Sequence, residues 1–309
     1  MRPGRVVCAG EALVDLAATP AGTPLAAATR LRMLQGGSPA NVAVGLCALG
    51  VPAALLGTVG ADALGSFLVD ALRRRGVDTT RTHAVAARTG LVFLSIDRRG
   101  ERAFLPAREG TADNLLHPRH LGPRPVAGAC WVHHSSGPLR PAAGTDALRR
   151  LRAAARAGGL PISVDVNLRP GVWPSVRANV TAVRRALDGV DVVKANLDEA
   201  RALTGARTVD GALRGLRGLC TRLAVVTLGG RGAVALGEGG PVTAAARRVR
   251  VVDTTGAGDA FMAALIAGLL GGAAAWEGAG LRRVLARANR AGAAACRVLG
   301  ATTCWRLPH

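Results

Sequence analysis

The chain has 309 residues, 49% of them hydrophobic and 19% charged, a composition that suits one large α/β domain with a substantial core and excludes a disordered chain. The 40 lysines and arginines outnumber the 20 aspartates and glutamates, but the arginines are scattered in pairs and triplets, and aromatic residues make up only 3% of the chain. The charge therefore predicts a general attraction for anions, nucleotides included, while the shortage of stacking side chains argues against a dedicated nucleic-acid-binding protein.

The first third of the chain predicts strands and one apolar helix. Val6 to Leu16 favours a first strand, Leu31 to Leu34 favours a second, and a helix from about Ala40 to Leu49 follows a glycine-rich turn. Further along, Thr89 to Ile96 and Arg102 to Leu105 flank a charged turn that contains glycine, which predicts a hairpin.

The rest of the chain alternates predicted strands with predicted helices. The strands are expected at 129–134, 162–166, 190–194 and 223–227, and the helices at 146–157, 176–187, 198–204 and 210–218. This βαβ rhythm predicts a mostly parallel sheet with helices on both faces. Two more strands, at 232–236 and 249–252, and two closing helices, at 258–271 and 281–298, complete a single α/β domain over residues 1–309.

Location and redox state follow from simple counts. The longest apolar run, Phe261 to Trp276, has 16 residues, whereas a membrane span needs about 20. The first residues lack the pattern of a signal peptide, so we expect a cytoplasmic protein without membrane partners. The six cysteines show neither a C-x-x-C motif nor zinc-ligand spacing, which predicts reduced thiols.

The segment from Asp253 to Phe261 is a glycine-rich turn that opens directly onto a long apolar helix. Small residues let the backbone approach a ligand closely, and free N–H groups at a helix start attract anions. Asp259 places a carboxylate beside this anion site, the combination that phosphoryl transfer to a hydroxyl requires. Taken alone, the same residues could also be an ordinary helix cap.

A second glycine turn, Gly36-Gly37-Ser38-Pro39-Ala40-Asn41, also opens onto a helix. Together with Gly10-Glu11, Asp15 and the Asp253–Asp259 segment, it resembles the ribokinase-like (PfkB) family of carbohydrate kinases. The resemblance covers essentially the whole chain, with both signature regions in order. It implies a ribokinase-like fold, in which a central, mostly parallel sheet flanked by helices carries a small β-sheet lid, here at about 12–35 and 85–108.

The resemblance also implies roles for the residues of the two glycine turns. Asp259 matches the family's catalytic base, and the residues that match its anion hole are Gly256, Ala257 and Gly258. Sugar hydroxyls in the family are held by an aspartate on the first strand and by the first glycine turn, which here correspond to Asp15, Gly36, Gly37 and Asn41.

Nucleotide and metal sites are implied in the same way. Asn196-Leu197-Asp198-Glu199 matches the N-x-x-E motif that acts on magnesium largely through its waters, although the tetrapeptide is also a capping-box variant. The residues implied at the nucleotide are Lys194, Asn196, Thr227, Gly229, Gly232 and Asn289. Asp253 and Thr255 match a monovalent-cation site, but Cys304 stands where some members carry an oxygen side chain, which argues against potassium dependence.

Two further segments resemble fructokinases and 2-keto-3-deoxygluconate kinases. Asp165-Val166-Asn167-Leu168-Arg169 resembles their D-x-N-x-R segment, with Arg169 as a fixed fork for phosphates or an anionic part of the substrate. The stretch from Gly100 to Phe104 resembles their lid hairpin and places Phe104 near the substrate. The next residues, Leu105 to Arg108, lack the aromatic side chains expected in fructokinases.

The sequence therefore predicts an ATP- and magnesium-dependent kinase, with potassium as an optional third cofactor. The expected acceptor is fructose or a similar keto-sugar. The alternatives within the class are 2-keto-3-deoxygluconate, ribose, a nucleoside, or a sugar-bearing antibiotic or metabolite that is inactivated by phosphorylation. A sugar or nucleotide sensor without turnover is the alternative from another class. In many relatives the lid pairs between subunits, which implies a homodimer.

Overall fold

The structure is a computed structural model that describes residues 4–20, 22–96, 102–139, 142–168 and 175–305. Its strands are β1 (Arg5–Ala9), β2 (Leu13–Thr19), β3 (Arg30–Gly36), β4 (Ala53–Gly60), β5 (Thr82–Val85), β6 (Leu91–Ile96), β7 (Arg102–Ala107), β8 (Ala129–Ser135), β9 (Ile162–Asp165), β10 (Val192–Asn196), β11 (Leu223–Thr227), β12 (Ala233–Gly237) and β13 (Gly240–Ala244). Its helices are α1 (Ser38–Ala48), α2 (Ala63–Arg74), α3 (Ala142–Ala157), α4 (Val176–Ala186), α5 (Leu197–Thr204), α6 (Val209–Arg217), α7 (Ala257–Leu269) and α8 (Gly278–Ala295).

The large sheet has nine strands in the order β13-β12-β11-β10-β9-β8-β1-β4-β5. The strands from β11 through to β5 are parallel, and β12 and β13 add an antiparallel ribbon at one edge. Separate hydrophobic clusters lie on its two faces, one containing α1, α7 and α8 and the other α3, α5 and α6. This burial on both faces explains why strands such as β4 and β11 are almost continuously apolar or small instead of alternating with polar residues.

The small sheet has four strands in the order β3-β2-β6-β7. It is built from the two segments that the sequence predicts as a β excursion, and β6 and β7 form the expected antiparallel hairpin. Strand β2 pairs with β3 in antiparallel and with β6 in parallel orientation. The ribokinase-like arrangement of a large, mostly parallel sheet and a separate small sheet is therefore confirmed.

Three sequence predictions of secondary structure were wrong or incomplete. Val6 to Leu16 is not one strand, because the chain breaks at Gly10, which has φ = 144°, and passes from the large sheet to the small one. Residues 249–252 form no strand; Val251 and Val252 are exposed in an irregular segment, while the last strand is β13. The elements between residues 53 and 85 were not predicted at all.

Two simpler features of the described part of the chain concern its cysteines and its helices. All six cysteines are outside disulfide bonds. No helix in that part combines the length and the apolar character needed to cross a membrane.

Helices α1 and α7 lie against each other, and small residues bring them close. A Cβ atom added to Gly45 of α1 would lie 2.7 Å from the Cβ atom of Ala263 in α7. Since both helices begin directly after a glycine turn, this packing brings the two turns together at one edge of the large sheet.

Gly37, the residue that precedes α1, tests how tightly that turn is held. Its φ is +100°, and a Cβ atom would lie 2.3 Å from the carbonyl oxygen of Glu11. We expect Gly37→Ala to lower the free energy of unfolding by about 1–2 kcal/mol for the backbone conformation and by about 1–3 kcal/mol more for the clash. The measurement is urea unfolding followed by circular dichroism.

Gly50 provides the matched control, because its φ is +80° but no atom lies within 4 Å of an added Cβ. Gly50→Ala should show the conformational loss alone. Equal losses for the two variants would contradict the close approach of Glu11 to the turn.

Candidate active site

The carboxylate of Asp259, in the first turn of α7, is held by two residues of α1. Ser38 Oγ donates to Oδ1 at 2.7 Å, and Asn41 Nδ2 donates to Oδ2 at 2.8 Å. Gln35 in turn donates to Asn41 Oδ1 at 2.8 Å, which fixes the orientation of that amide. Each carboxylate oxygen has a second lone pair, so Asp259 keeps the capacity to accept a proton from a bound hydroxyl.

The backbone at Gly256, Ala257 and Gly258, where α7 begins beside Asp259, is called the amide niche below; the N–H of Ala257 donates to the carbonyl oxygen of Thr254 at 3.3 Å. Gly256 has φ = +76°, and a Cβ atom there would lie 2.4 Å from Cα of Ala301, so only glycine fits. Within the described part of the chain, the N–H groups of Gly258 and Asp259 have no protein acceptor, as expected for the first turn of a helix. Free N–H groups at a helix start are suited to bind an anion.

A buried ion pair lies directly behind this niche. Lys194 Nζ, on β10, is 2.9 and 3.0 Å from the two carboxylate oxygens of Asp165 on β9. It would also lie 2.9 Å from a Cβ atom placed on Gly258. Burial alone would lower the pKa of Lys194, but the carboxylates of Asp165, Glu199 and Asp259 raise it above its usual value, so the side chain is an ammonium ion.

Asp15 faces the first glycine turn from the small sheet. It is buried on β2, opposite the end of β3, and its carboxylate occupies the space that a side chain at Gly36 would need, with Oδ2 2.4 Å from the added Cβ position. Gly36, Gly37, Asn41 and Asp15 therefore lie close together at the first glycine turn, and their role at a sugar stays a prediction.

A charged cluster beside Asp15 was missed by the sequence analysis. Arg108 follows strand β7 and donates from Nε and Nη2 to the buried carboxylate of Asp113, at 2.8 and 2.5 Å. Glu11 is also buried there and accepts a hydrogen bond from Ser135 Oγ at 3.1 Å. The signal that could have found the pair is two opposite charges five residues apart immediately after the predicted hairpin.

Asn196 and Glu199 form a complete capping box at the start of α5. Asn196 Oδ1 accepts from the N–H of Glu199 at 2.9 Å, and Glu199 Oε2 accepts from the N–H of Asn196 at 2.8 Å. Glu199 Oε1 also accepts from the N–H of Leu168 at 3.0 Å. The carboxylate is thus fixed at the carboxyl edge of the sheet, where it offers hard oxygen atoms of the kind that magnesium prefers.

The predicted nucleotide loop lies next to this box. Thr227 is the register partner of Asn196 on the neighbouring parallel strand. Gly229 starts a short 3₁₀ helix with φ = +59°, and Gly232 ends it with φ = +100°, close against the carbonyl oxygen of Ala244.

Asn289 of α8 lies near this loop, but its side chain is hydrogen-bonded to the backbone. Its amide donates to the carbonyl oxygens of Ala244 and Ala245 at 2.8 and 3.3 Å, which ties α8 to the end of β13. The structure thus shows an internal contact for this side chain, and the predicted adenine contact stays a prediction.

Asp253 connects the chain before α7 to the loop near Gly300. Its Oδ1 accepts from the N–H and the hydroxyl of Thr255, and its Oδ2 accepts from the N–H of Gly300 at 2.9 Å. Neutral donors therefore already satisfy both oxygens. Among the described residues, no group of three or more His, Cys, Asp and Glu side chains could hold a metal ion.

Two predicted substrate residues remain. Phe104 lies on β7 and is half exposed; the strand register puts it on the same face of the small sheet as Asp15. Arg169 lies outside the described residues.

Comparison with known proteins was made on sequence and on structure. A family model described as pfkB family carbohydrate kinase matches residues 4–308. The chain is 36% identical to fructokinase-1 of Oryza sativa subsp. japonica over 263 residues, which cover 84% of this chain and 81% of that protein. It is 37% identical to fructokinase-1 of Zea mays over 275 residues, covering 86% and 84% respectively.

Solved structures of similar fold also include sugar kinases. A fructokinase double mutant from Vibrio cholerae O395, in a form with fructose, ADP and potassium bound, superimposes with a TM-score of 0.87 at 30% identity, covering 98% of this chain and 95% of that one. A candidate ribokinase II from E. coli, in complex with ATP and magnesium, gives 0.88 at 25% identity, covering 98% and 96%. Because the family model spans nearly the whole sequence, this chain belongs to the pfkB family of carbohydrate kinases.

Proposed function

We propose that this protein transfers the terminal phosphoryl group of ATP to a hydroxyl of fructose or a similar keto-sugar, with Asp259 as general base. The observation that carries the proposal is the carboxylate of Asp259 beside two N–H groups that have no acceptor in the described part of the chain. The fructokinase relatives support fructose as the acceptor. The fructose-bound form of the Vibrio cholerae fructokinase supports it too.

On the acceptor side, Asp15 and Asn41 would bind sugar hydroxyls, and Gly36 and Gly37 would let the backbone approach the ring. Asp259 would accept the proton of the attacking hydroxyl as the bond to phosphorus forms. The hydrogen bonds from Ser38 and Asn41 keep its carboxylate in one orientation, which is the positioning that general-base catalysis needs.

On the donor side, the amide niche of residues 256–258 would bind the phosphoryl group in transfer. Lys194 would add a full positive charge directly behind it. Fixed charges and dipoles of this kind stabilise a transition state because they need no reorganisation during the reaction. Thr227, Gly229 and Gly232 would hold the other phosphates at the neighbouring strand end.

The composition of the chain supports an active role for Lys194. Of the 40 lysines and arginines in the sequence, Lys194 is the only lysine. Arginine is a longer, planar fork, whereas an ammonium ion is a compact point charge. A site that admits an Nζ atom 2.9 Å from the Cβ position of Gly258 explains why arginine did not replace lysine here.

Magnesium fits the capping box of Asn196 and Glu199. Each oxygen of Glu199 accepts one backbone N–H group and keeps a second lone pair, so the carboxylate and the amide of Asn196 would be able to hold the waters of the metal. When bound, the ion neutralises phosphate charge during transfer.

The small sheet would act as a lid that closes over the sugar. Asp15 and Phe104 lie on its inner face, and closure would exclude the water that otherwise hydrolyses ATP.

The other face of the small sheet carries Leu31, Met33 and Leu105, which are 42%, 40% and 59% exposed. Because β3 and β7 are also unpaired edges of this sheet in the described structure, we propose that a second copy of the chain covers it in a homodimer.

A different acceptor is the main alternative, since Pro106 and Ala107 supply no aromatic wall. Ribose, a nucleoside or a sugar-bearing antibiotic would then give faster turnover than fructose when the release of ADP is measured.

A sensor that binds ATP without sugar-stimulated turnover is disfavoured by the presence of both Asp259 and Glu199. ADP release that does not rise with any sugar in a broad panel would support the sensor.

Asp259→Asn keeps the size of the side chain but removes its capacity to take a proton. We expect kcat for fructose to fall by about 10²–10⁴-fold, while ATP binding measured by calorimetry stays unchanged. The control is Asp210→Asn, because Asp210 also lies in the first turn of a helix but is exposed and pairs with Arg214. A variant at position 259 with wild-type kcat would overturn the assignment of the base.

Glu199→Gln tests the metal site separately from the helix cap, since glutamine keeps the volume and one acceptor oxygen. We expect the magnesium concentration that gives half-maximal rate to rise by about tenfold. Asp198→Asn removes an adjacent but exposed carboxylate and should shift it less than twofold. Equal shifts would mean that general surface charge, and not Glu199, attracts the metal.

Leu105→Asp tests the homodimer. A charge in the middle of the proposed interface should convert a dimer into a monomer in analytical ultracentrifugation, because a desolvated unpaired charge is costly. Leu49→Asp is the control, since Leu49 is 42% exposed at the end of α1 and away from the small sheet. A wild-type protein that sediments as a monomer would contradict the proposal.

A further inference from the structure

The inner face of the small sheet carries an apolar patch that is covered from outside the sheet. Leu34 of β3 is the register partner of Asp15 and therefore lies on the same face. Two residues further along β2, Ala17 lies on this face too, beside its partner Leu94 of β6. Ala17 and Leu94 are buried. Leu34 packs against them together with Leu299, which belongs to the loop after α8.

Gly300, the next residue of this loop, brings the backbone against the same leucine of the small sheet. Its φ is +93°, and a Cβ atom added there would lie 2.9 and 3.5 Å from the two methyl groups of Leu34. The glycine therefore lets the loop backbone approach the end of the Leu34 side chain closely. We call Leu299 and Gly300 the lid seat.

The lid seat is continuous with the support of the amide niche. The N–H of Gly300 donates to Oδ2 of Asp253 at 2.9 Å, and Asp253 is buried. The next residue, Ala301, lies so close to Gly256 that a Cβ atom added to the glycine would be 2.4 Å from its Cα atom. Three consecutive residues, 299 to 301, thus contact the inner face of the small sheet on one side and the start of the niche on the other.

The loop after α8 is also held at both of its ends. At its start, the carbonyl oxygen of Cys296 accepts from the N–H of Val252 at 2.8 Å. At its end, Arg75 Nη1 donates to the carbonyl oxygens of Thr302 and Trp305 at 2.8 and 3.0 Å. A segment tied to the body of the protein at several points provides a fixed surface for a side chain that packs on it.

We propose that Leu299 is a positioning residue whose contact with Leu34 holds Asp15 in register with the amide niche, so that the phosphoryl group passes to the sugar and not to water. The inference rests on the proposed kinase function and adds to it the residue that locates the lid. Because Leu34 and Asp15 are register partners, a shift of Leu34 on its seat moves Asp15 relative to the niche.

Transfer and hydrolysis differ only in the oxygen that attacks. In transfer, a sugar oxygen forms a bond to the terminal phosphorus of ATP, the bond from that phosphorus to the bridging oxygen breaks, and Asp259 takes the hydroxyl proton. In hydrolysis, water takes the place of the sugar hydroxyl, and the products are ADP and phosphate. A lid displaced from its seat would admit that water and misplace the sugar, and a displacement of about 1 Å can cost about 10²-fold in rate.

The test measures how Leu299→Ala divides the phosphoryl group between sugar and water. The measured quantity is the ratio of ADP released to fructose phosphate formed, at saturating fructose and one fixed potassium concentration, which does not depend on the fraction of protein that is folded. We expect a ratio of about 1 for the wild-type protein and a rise of at least about threefold in the variant. KM for fructose should rise about tenfold and KM for ATP less than about twofold, because the lost contact lies on the sugar side.

Leu219→Ala is the matched control, since Leu219 is also a partly buried leucine but packs against the cluster that contains α3, α5 and α6. It should lower the thermal midpoint comparably and leave the ratio unchanged. Leu299→Ile keeps the volume of the side chain and should keep a ratio near that of the wild-type protein. A rise of less than about threefold in Leu299→Ala overturns the inference, and so does an equal rise in Leu219→Ala.

Leu34→Ala removes the other side of the contact and applies if Leu299→Ala does not fold. It should raise the ratio to a similar extent, and an unchanged ratio overturns the inference. Where both variants fold, the double variant should show no higher ratio than the single ones, because both changes remove the same contact; effects that multiply overturn the inference.

Failure of the inference and failure of the proposed function give different results. Fructose phosphate formed by all variants in the wild-type ratio to ADP refutes the role of Leu299 alone. A wild-type protein that transfers phosphate to neither fructose nor any other sugar in a broad panel refutes the proposed function, and the role of Leu299 with it.

Discussion

The two hydrogen bonds that Asp259 accepts from Ser38 and Asn41 join parts of the chain that are more than 200 residues apart. They connect the first turn of α7 to the first turn of α1, and both helices begin after a glycine whose conformation or contacts admit no side chain. Both helix starts also carry a positive partial charge. The pair of bonds therefore fixes a carboxylate where two positive helix ends converge, and the rest of the fold serves to bring those ends together.

The buried pair of Lys194 and Asp165 is best understood through its place beside Gly258. A buried ion pair is weak support for stability, because the loss of hydration of two charges offsets most of their attraction, and apolar residues of similar size often do as well. The neighbours Val193 and Ala195 on β10 and Val164 on β9 are buried and apolar, so an apolar pair would be compatible with this part of the sheet. The pair places a positive charge 2.9 Å from the Cβ position of Gly258, beside the backbone that faces the proposed phosphoryl group, which an apolar replacement would not do.

Local patterns in the sequence predicted the parts of the fold that depend on local physics. The glycine turn before α7, the capping box at Asn196 and the alternating second half all follow from residue spacing. The prediction of a strand at residues 249–252 was wrong, because this run of apolar and charged residues has the composition of a strand but pairs with no neighbouring strand. The change of sheet between β1 and β2 depends on the conformation of Gly10, which composition does not reveal.

The candidate site was predictable in its residues but not in its contacts. Ser38 looks like an ordinary first residue of a helix, and its bond to Asp259 depends on how α1 packs on α7. Arg108 was considered only for the aromatic residues missing before it, because its pairing with Asp113 depends on how the chain turns after β7 and its closeness to Glu11 joins two segments that are far apart in the sequence. Asn289 has internal contacts that the sequence does not reveal, because its amide donates to two backbone carbonyl groups, and its contact with adenine stays a prediction.

The interpretations of Asn196 and Glu199 as a helix cap and as a magnesium site support each other. A free glutamate side chain would have to lose rotamer freedom whenever it held the waters of a metal ion. Here three backbone N–H contacts, from Asn196, Leu168 and Glu199 itself, fix both side chains before any metal arrives. Each oxygen of Glu199 accepts one N–H group and keeps a second lone pair, so the cap would hold both oxygens in place for the proposed metal ion or its waters without using up their capacity to accept.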